Sequence, residues 1–163
     1  MEHKPILYIM IGAPGSGKST FAEKFRSQVG EHTAIVSRDR IRFARLKDDD
    51  DYFTKEDEVF KVFIYMITEK LKNGTNVIAD ATHLNKSSRK KLTNAIDMKF
   101  SDYNIVYITC LADADECISR NAVRTGRAKV PDDVIRNMRA SMTIPVNEDE
   151  RAIGNISITG TIV

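Results

Sequence analysis

A three-layer α/β fold around a mostly parallel sheet is the class this sequence predicts, and three observations carry the prediction. Short apolar runs alternate along the chain with longer stretches of helical periodicity. The first run, Ile6 to Ile11, is nearly continuous, as a strand covered on both faces requires. It ends at Gly12 in a glycine-rich turn that leads straight into a helical segment.

The elements follow in order. After the turn, Phe21, Phe25 and Val29 recur at helical spacing, and Gly30 supplies a C-terminal stop. Thr33 to Ser37 reads as a second strand. Val59, Val62, Phe63, Met66, Ile67 and Leu71 form the apolar stripe of a long helix, closed by Asn73-Gly74. Asn76 to Ala79 gives a third strand, Lys86 to Met98 a basic helix, Tyr103 to Cys110 a fourth strand and Ala114 to Arg124 another helix. Pro131 suits the first turn of a helix through Met142, and Ile156 to Thr159 offers a last strand. No internal repeat or linker interrupts the series, so one domain over residues 1–163 is expected.

Composition sets bounds without naming a partner. The apolar fraction of 42% suits a chain with a real core, and the 29% of charged residues nearly cancel to +2. Any nucleic-acid partner must therefore be met by local basic patches. Cys110 and Cys117 show neither Cys-x-x-Cys spacing nor a nearby histidine, which argues against a zinc site or a disulfide framework and for buried free thiols. Met1-Glu2-His3-Lys4-Pro5 runs into a strand too short for a signal peptide or a membrane span, so a cytoplasmic location and no membrane partner are expected. The acidic run Asp48 to Asp51 reads as a solvated loop.

The strongest signal is Gly12-Ala13-Pro14-Gly15-Ser16-Gly17-Lys18-Ser19, which fits G-x-x-x-x-G-K-[ST] between a strand and a helix. Glycines let backbone N–H groups turn inward around a β-phosphate, and Lys18 supplies charge to the β- and γ-phosphates. The Ser19 hydroxyl should ligate Mg2+, and Thr20 continues the loop into the dipole of the first helix. This stretch predicts ATP or another nucleoside triphosphate as a bound phosphate donor.

Three further segments fall at strand ends, where α/β proteins bind ligands. In Ser37-Arg38-Asp39-Arg40-Ile41-Arg42, a carboxylate can accept a proton from an attacking hydroxyl while an arginine holds an anionic acceptor. The plainer alternative is a helix start with Asp39 as its cap. In Asp80-Ala81-Thr82-His83-Leu84-Asn85, Asp80 can hold magnesium-bound water or steady the acceptor, or simply cap a turn; His83 has no visible partner and reads as structural. In Arg120-Asn121-Ala122-Val123-Arg124-Thr125-Gly126-Arg127-Ala128-Lys129, a mobile basic lid would stabilise the charge of a transferring phosphoryl group; the alternative is arginines on solvated helix ends. Asp113-Ala114-Asp115 echoes the aspartate-nucleophile phosphatases, but Cys117 stands where their third element belongs, and helix capping explains these acids.

Together the four segments resemble the phage-type polynucleotide 5′-hydroxyl kinases, the kinase halves of nucleic-acid end-healing enzymes, within the zeta-toxin-like P-loop kinases. The resemblance runs from Ile9 to about Pro145. Its discriminating pieces are Ser37-Arg38-Asp39-x-x-Arg42, Asp80-Ala81-Thr82-x-Leu84-Asn85, and the stretch from Arg120-Asn121 through Val130-Pro131-Asp132-Asp133 to Ser141-Met142. It implies a P-loop kinase fold with a small helical lid at about 120–131. DNA or RNA 5′-OH ends become the implied acceptor, with Asp39 as general base, Arg42 reading the phosphate 3′ to the acceptor nucleoside and Arg124 on the donor phosphates. Arg120 and Arg127 join the nucleotide site, and Arg38, Asp80, Thr82 and Asn85 join the substrate site. The spacing of Arg124-Thr125-Gly126-Arg127 departs from the family, so Arg127 is the alternative lid arginine. No phosphatase domain accompanies the kinase segments, as in a stand-alone kinase or one excised from a larger enzyme.

Two other readings fit the same loop. One is a P-loop kinase for a small molecule such as a nucleoside, an antibiotic or a nucleotide-sugar, for which a phosphate-reading Arg42 would be unneeded. The other is a nucleotide-dependent switch, which leaves Asp39 and the basic lid without a task.

Overall fold

The computed structural model describes residues 3–149 and 151–159. Within them, β1 (Ile6–Ile11), β2 (Thr33–Ser37), β3 (Asn76–Asp80), β4 (Asn104–Cys110) and β5 (Ala152–Ile158) form one sheet in the order β2-β3-β1-β4-β5. Every neighbouring pair is parallel. The helices are α1 (Lys18–Val29), α2 (Arg38–Arg45), α3 (Glu56–Lys72), α4 (Lys86–Ala95), α5 (Ala114–Asn121) and α6 (Asp132–Ser141). This is the α/β architecture of the P-loop kinases.

The side-chain period of two divides the core between the sheet's faces. Leu7, Ile9 and Ile11 of β1 pack with Val59, Phe63, Ile67 and Leu71 of α3 and Leu92 of α4. Tyr8 and Met10 point the other way, toward Ala22, Phe21 and Phe25 of α1. Each fully buried aliphatic or phenyl side chain contributes about 1.5–3 kcal/mol, so the stripe on α3 fixes that helix firmly against β1. A smaller cluster of Ala13, Ala112, Cys117 and Ile135 joins α5 and α6 beneath the glycine-rich turn.

Several boundaries move from their expected places. The helix expected through Arg124 stops at Asn121, because that side chain leaves the helix pattern to clamp the chain. Its amide donates to Val130 O at 2.6 Å and accepts from Val130 N–H at 3.0 Å, closing residues 122–129 into a loop. The lid within is one short 3-10 turn, Gly126–Ala128. The basic helix ends at Ala95 rather than Met98, where Ile96 turns extended and buries its side chain. Pro131 sits just outside α6 as its N-cap residue. The last strand begins four residues early, at Ala152, because edge pairing to β4 tolerates Gly154 and Asn155 that break its apolar pattern.

Candidate active site

The carboxyl ends of β1, β2 and β3 open into a cleft of about 390 Å³. Its floor is the turn from Gly12 to Ser19. Gly12 N–H donates to Thr82 O at 3.1 Å, which ties the turn to the chain leaving β3. Gly15 and Gly17 hold left-handed φ values of 81° and 93°. A Cβ on Gly15 would lie 2.3 Å from Cys117 O, so only glycine lets α5 pack against the turn. Gly17 is the N-cap of α1 and makes no side-chain cap, which leaves the first N–H groups of that helix for an anion.

Lys18 Nζ donates to Ala13 O at 3.1 Å within this floor. Burial pushes its ammonium below the usual lysine range, against the upward pull of Asp80, Cys110 and Asp39. A group so placed gains most from an incoming polyanion, which restores its charged form. Ser19 Oγ donates to Asp80 Oδ2 at 2.7 Å across the β1–β3 boundary. A hydroxyl and a carboxylate, both hard oxygen donors on one edge of a phosphate cradle, fit Mg2+, which takes one or two protein ligands beside phosphates and water. Ser19 would hold the ion, with Asp80 beside it. Ser16 Oγ is buried without a hydrogen-bond partner among the described residues. Thr20 is exposed on the first turn of α1.

The opposite wall comes from α2 and the start of α3. Ser37, not Asp39, caps α2, accepting from Arg40 N–H at 3.3 Å, so the Asp39 carboxylate is left to face the cleft. Its Oδ1 accepts from Arg42 Nη1 and from the Tyr52 hydroxyl, the latter at 2.6 Å. Among the described residues no donor reaches Oδ2. Burial and then the bond to Asp39 push the Tyr52 phenol above its ordinary value, so it stays a donor.

Arg42 differs from expectation. It is 4% exposed, with Nη2 on Glu56 at 2.6 Å, Nη1 shared between Asp39 and Tyr52, and its carbon 4.1 Å from the Tyr52 ring centroid. Arg38 pairs with the other oxygen of Glu56 and lies 5.1 Å over the Phe60 ring. Two guanidinium groups and two carboxylates thus cancel one another. In this arrangement Arg42 positions the carboxylate and is not a free hook for a phosphate, because both its terminal nitrogens are engaged.

Among the described residues, Arg124 and Arg127 of the loop 122–129 pair with no carboxylate. Arg124 lines the cleft near enough to Lys18 to lower its proton affinity. Arg127 crosses the opening instead, donating from Nη1 to Lys47 O at 2.9 Å and Asp50 O at 2.8 Å. It straps the lid to the acidic loop after α2. Arg120 stands behind the floor, donating to Gly15 O at 3.4 Å and pairing with Glu116.

The cleft therefore gathers Pro14, Lys18, Ser19, Arg38, Asp39, Arg42, Asp80, Thr82, Arg124 and Arg127. Thr20, Arg120 and Asn85 lie outside this lining, and Asn85 is exposed and caps α4 by accepting from Ser88 N–H at 2.9 Å in place of the substrate contact expected of it. His83 has the partner that sequence did not reveal. Its Nδ1–H donates to Met10 O at 2.9 Å, and burial pulls its pKa down to about 4. Glu56, Tyr52 and Phe53 were missed, lying 14, 10 and 11 residues past Arg42. The adjacent aromatics Tyr52-Phe53 beside the acidic run were the available signal.

The model of the AAA domain family matches residues 7–145. The L-seryl-tRNA(Sec) kinase of Methanococcus maripaludis is 32% identical over 145 residues, which is 86% of this chain and 53% of that protein. A chain in the structure of the Pnkp1/Rnl/Hen1 RNA repair complex superposes with a TM-score of 0.73 at 28% identity, covering 86% of this chain and 45% of that one. The chain thus spans about half the length of these relatives. A gluconokinase from Sinorhizobium meliloti shares the fold alone, at 19% identity and a TM-score of 0.58, over 99% of this chain and 87% of that one. Among the described residues no helix is long and apolar enough to cross a membrane. With a phosphate cradle, a carboxylate wall and a basic lid around one cleft at the strand ends, the chain belongs to the AAA domain family and has the build of its P-loop kinases.

Proposed function

We propose that this protein transfers the γ-phosphate of ATP, or of another nucleoside triphosphate, to the 5′-hydroxyl end of DNA or RNA. The observation that carries the reading is that the Asp39 carboxylate, Lys18 and Arg124 line one cleft. Its support among relatives is the likeness to a chain of an RNA repair complex.

Asp39 Oδ2 accepts the proton as the acceptor oxygen attacks the γ-phosphorus, while Tyr52 and Arg42 hold Oδ1 and set the carboxylate's angle. The β–γ bridging oxygen leaves with the diphosphate product. Lys18 and Arg124 meet the negative charge spread over the transferring oxygens. Bound at Ser19, magnesium would neutralise charge on the β- and γ-phosphates. The Arg127 bonds to the loop after α2 would slow the escape of bound nucleotide.

The second reading is favoured by one finding, the 32% identity to a kinase whose name gives its substrate as seryl-tRNA. There the acceptor would be a seryl hydroxyl carried on an RNA end. Labelled triphosphate offered in parallel to a 5′-hydroxyl oligonucleotide, a seryl-tRNA and gluconate decides among them. End labelling that falls about 10²–10⁴-fold in Asp39→Asn supports the leading reading. Label on the seryl-tRNA or on gluconate alone, or an undiminished Asp39→Asn, would sink it.

A further inference from the structure

The acceptor wall carries more aromatic surface than its ion pairs account for. The Tyr52 ring meets Phe43 edge-on at 6.1 Å and Phe53 at 4.7 Å, with interplanar angles of 69° and 83°. Tyr52 is fixed from below by the Arg42 guanidinium and at its hydroxyl by Asp39. Phe53 is 66% exposed although it lines the same cleft as Lys18 and Arg124. Leaving a phenyl group in water forgoes about 1.5–3 kcal/mol of burial. A single exposed ring needs no explanation, but contiguous rings opening into a cleft mark a ligand surface.

The neighbouring polar groups indicate what that ligand is. Arg38, Arg42, Asp39 and Glu56 are largely engaged with one another, so this wall offers few hydrogen bonds for reading a sugar or an aminoglycoside. What it offers is a rigid π surface on the Asp39 side, away from the cradle that takes the donor phosphates. A flat ring held edge-on by a second, pinned ring suits a nucleobase, which stacks irrespective of its identity.

We propose that Phe53, backed by Tyr52, is the stacking platform for the base of the acceptor's terminal nucleotide. This rests on the polynucleotide reading above and narrows it: the acceptor is a hydroxyl carried beside a base. It also makes the site tolerant of sequence.

The test compares two oligonucleotides with 5′-hydroxyl ends, identical except that one lacks the terminal base. The wild-type protein should favour the base-bearing end by about tenfold or more in kcat/KM, chiefly through KM. Phe53→Ala should bring the ratio close to one, Phe53→Trp should preserve it, and Tyr65→Ala, an equally exposed aromatic on α3, should not alter it. A wild-type protein that labels both ends equally overturns the stacking role alone. So does a Phe53→Ala variant that loses both activities in proportion. A wild-type protein that labels neither end refutes the polynucleotide reading itself.

Discussion

The two walls of the cleft are built from different materials. The donor floor is made of backbone: glycines at φ values L side chains avoid, and a helix start without a side-chain cap. The acceptor wall is made of side chains, with Asp39, Arg42, Tyr52 and Glu56 held by one another across two helices and a loop. A backbone cradle binds any polyphosphate that fits, whereas a side-chain wall is where one acceptor is told from another. The fold is shared with the gluconokinase, and on the proposed reading it is this wall that selects the acceptor.

Lys18→Ala tests that division most severely. It should lower phosphoryl transfer to an acceptor and background hydrolysis to water alike, each by at least about a hundredfold. Single-turnover assays with and without acceptor check this. An acceptor-wall change such as Glu56→Gln should reduce transfer but spare hydrolysis, and equal losses in both would abolish the distinction.

Next in size is a stability effect. Arg89 is 1% exposed and makes hydrogen bonds to His83 O at 2.8 Å, Thr143 O at 3.1 Å, Thr143 Oγ1 at 3.0 Å and both oxygens of Glu148 at 2.6 and 2.9 Å. It fastens the chain after β3 to the segment after α6. Arg89→Met should cost about 3–5 kcal/mol by stranding Glu148, and adding Glu148→Gln should recover part of it. Denaturant midpoints would read both, and a double variant no better than the single one would deny the pairing.

Much of this could be read in advance, for reasons that follow the same division. The order of the strands, the phosphate loop and the place of Asp39 at the end of β2 were legible because each rests on local spacing, whereas α2 was read only as the alternative for its segment. Arg89 was not: a basic helix reads as solvated from sequence, and only its approach to Glu148, 59 residues away, shows one arginine to be interior. Arg42 was legible as a residue of consequence but not in its posture, because Glu56 and Tyr52 come to it through the packing of α2 on α3. The end of α5 was invisible for a similar reason, since Asn121 looks like any helical residue until Val130 returns to it.

Arg127→Ala is a finer probe. Loss of two bonds from a charged donor at an exposed position should speed ATP release by about tenfold at most, leaving the transfer step itself little changed. Stopped-flow release of a fluorescent analogue would measure it; a large loss in the transfer step would make Arg127 the charge-stabilising arginine in place of Arg124.

A last effect belongs to pH. His83 is held neutral by burial, with a folded pKa of about 4 against 6.5 when unfolded. The unfolded chain binds the extra proton between those values, so the contribution of His83 is complete above about pH 6.5 and declines as pH falls toward 4. His83→Asn should flatten the fall in denaturant midpoint between pH 6.5 and pH 4.5. An identical slope would assign it to the carboxylates.

Both cysteines lie directly behind the phosphate loop. Cys110 Cβ is 3.3 Å from where a Gly12 Cβ would stand, and the Cys117 backbone abuts Gly15. Burial pushes the Cys110 thiol up to about 11 and raises Cys117 as well, so neither supplies thiolate while the loop is closed. Alkylation of the folded protein then runs only as fast as the loop and α5 part. Bound triphosphate should slow that alkylation further.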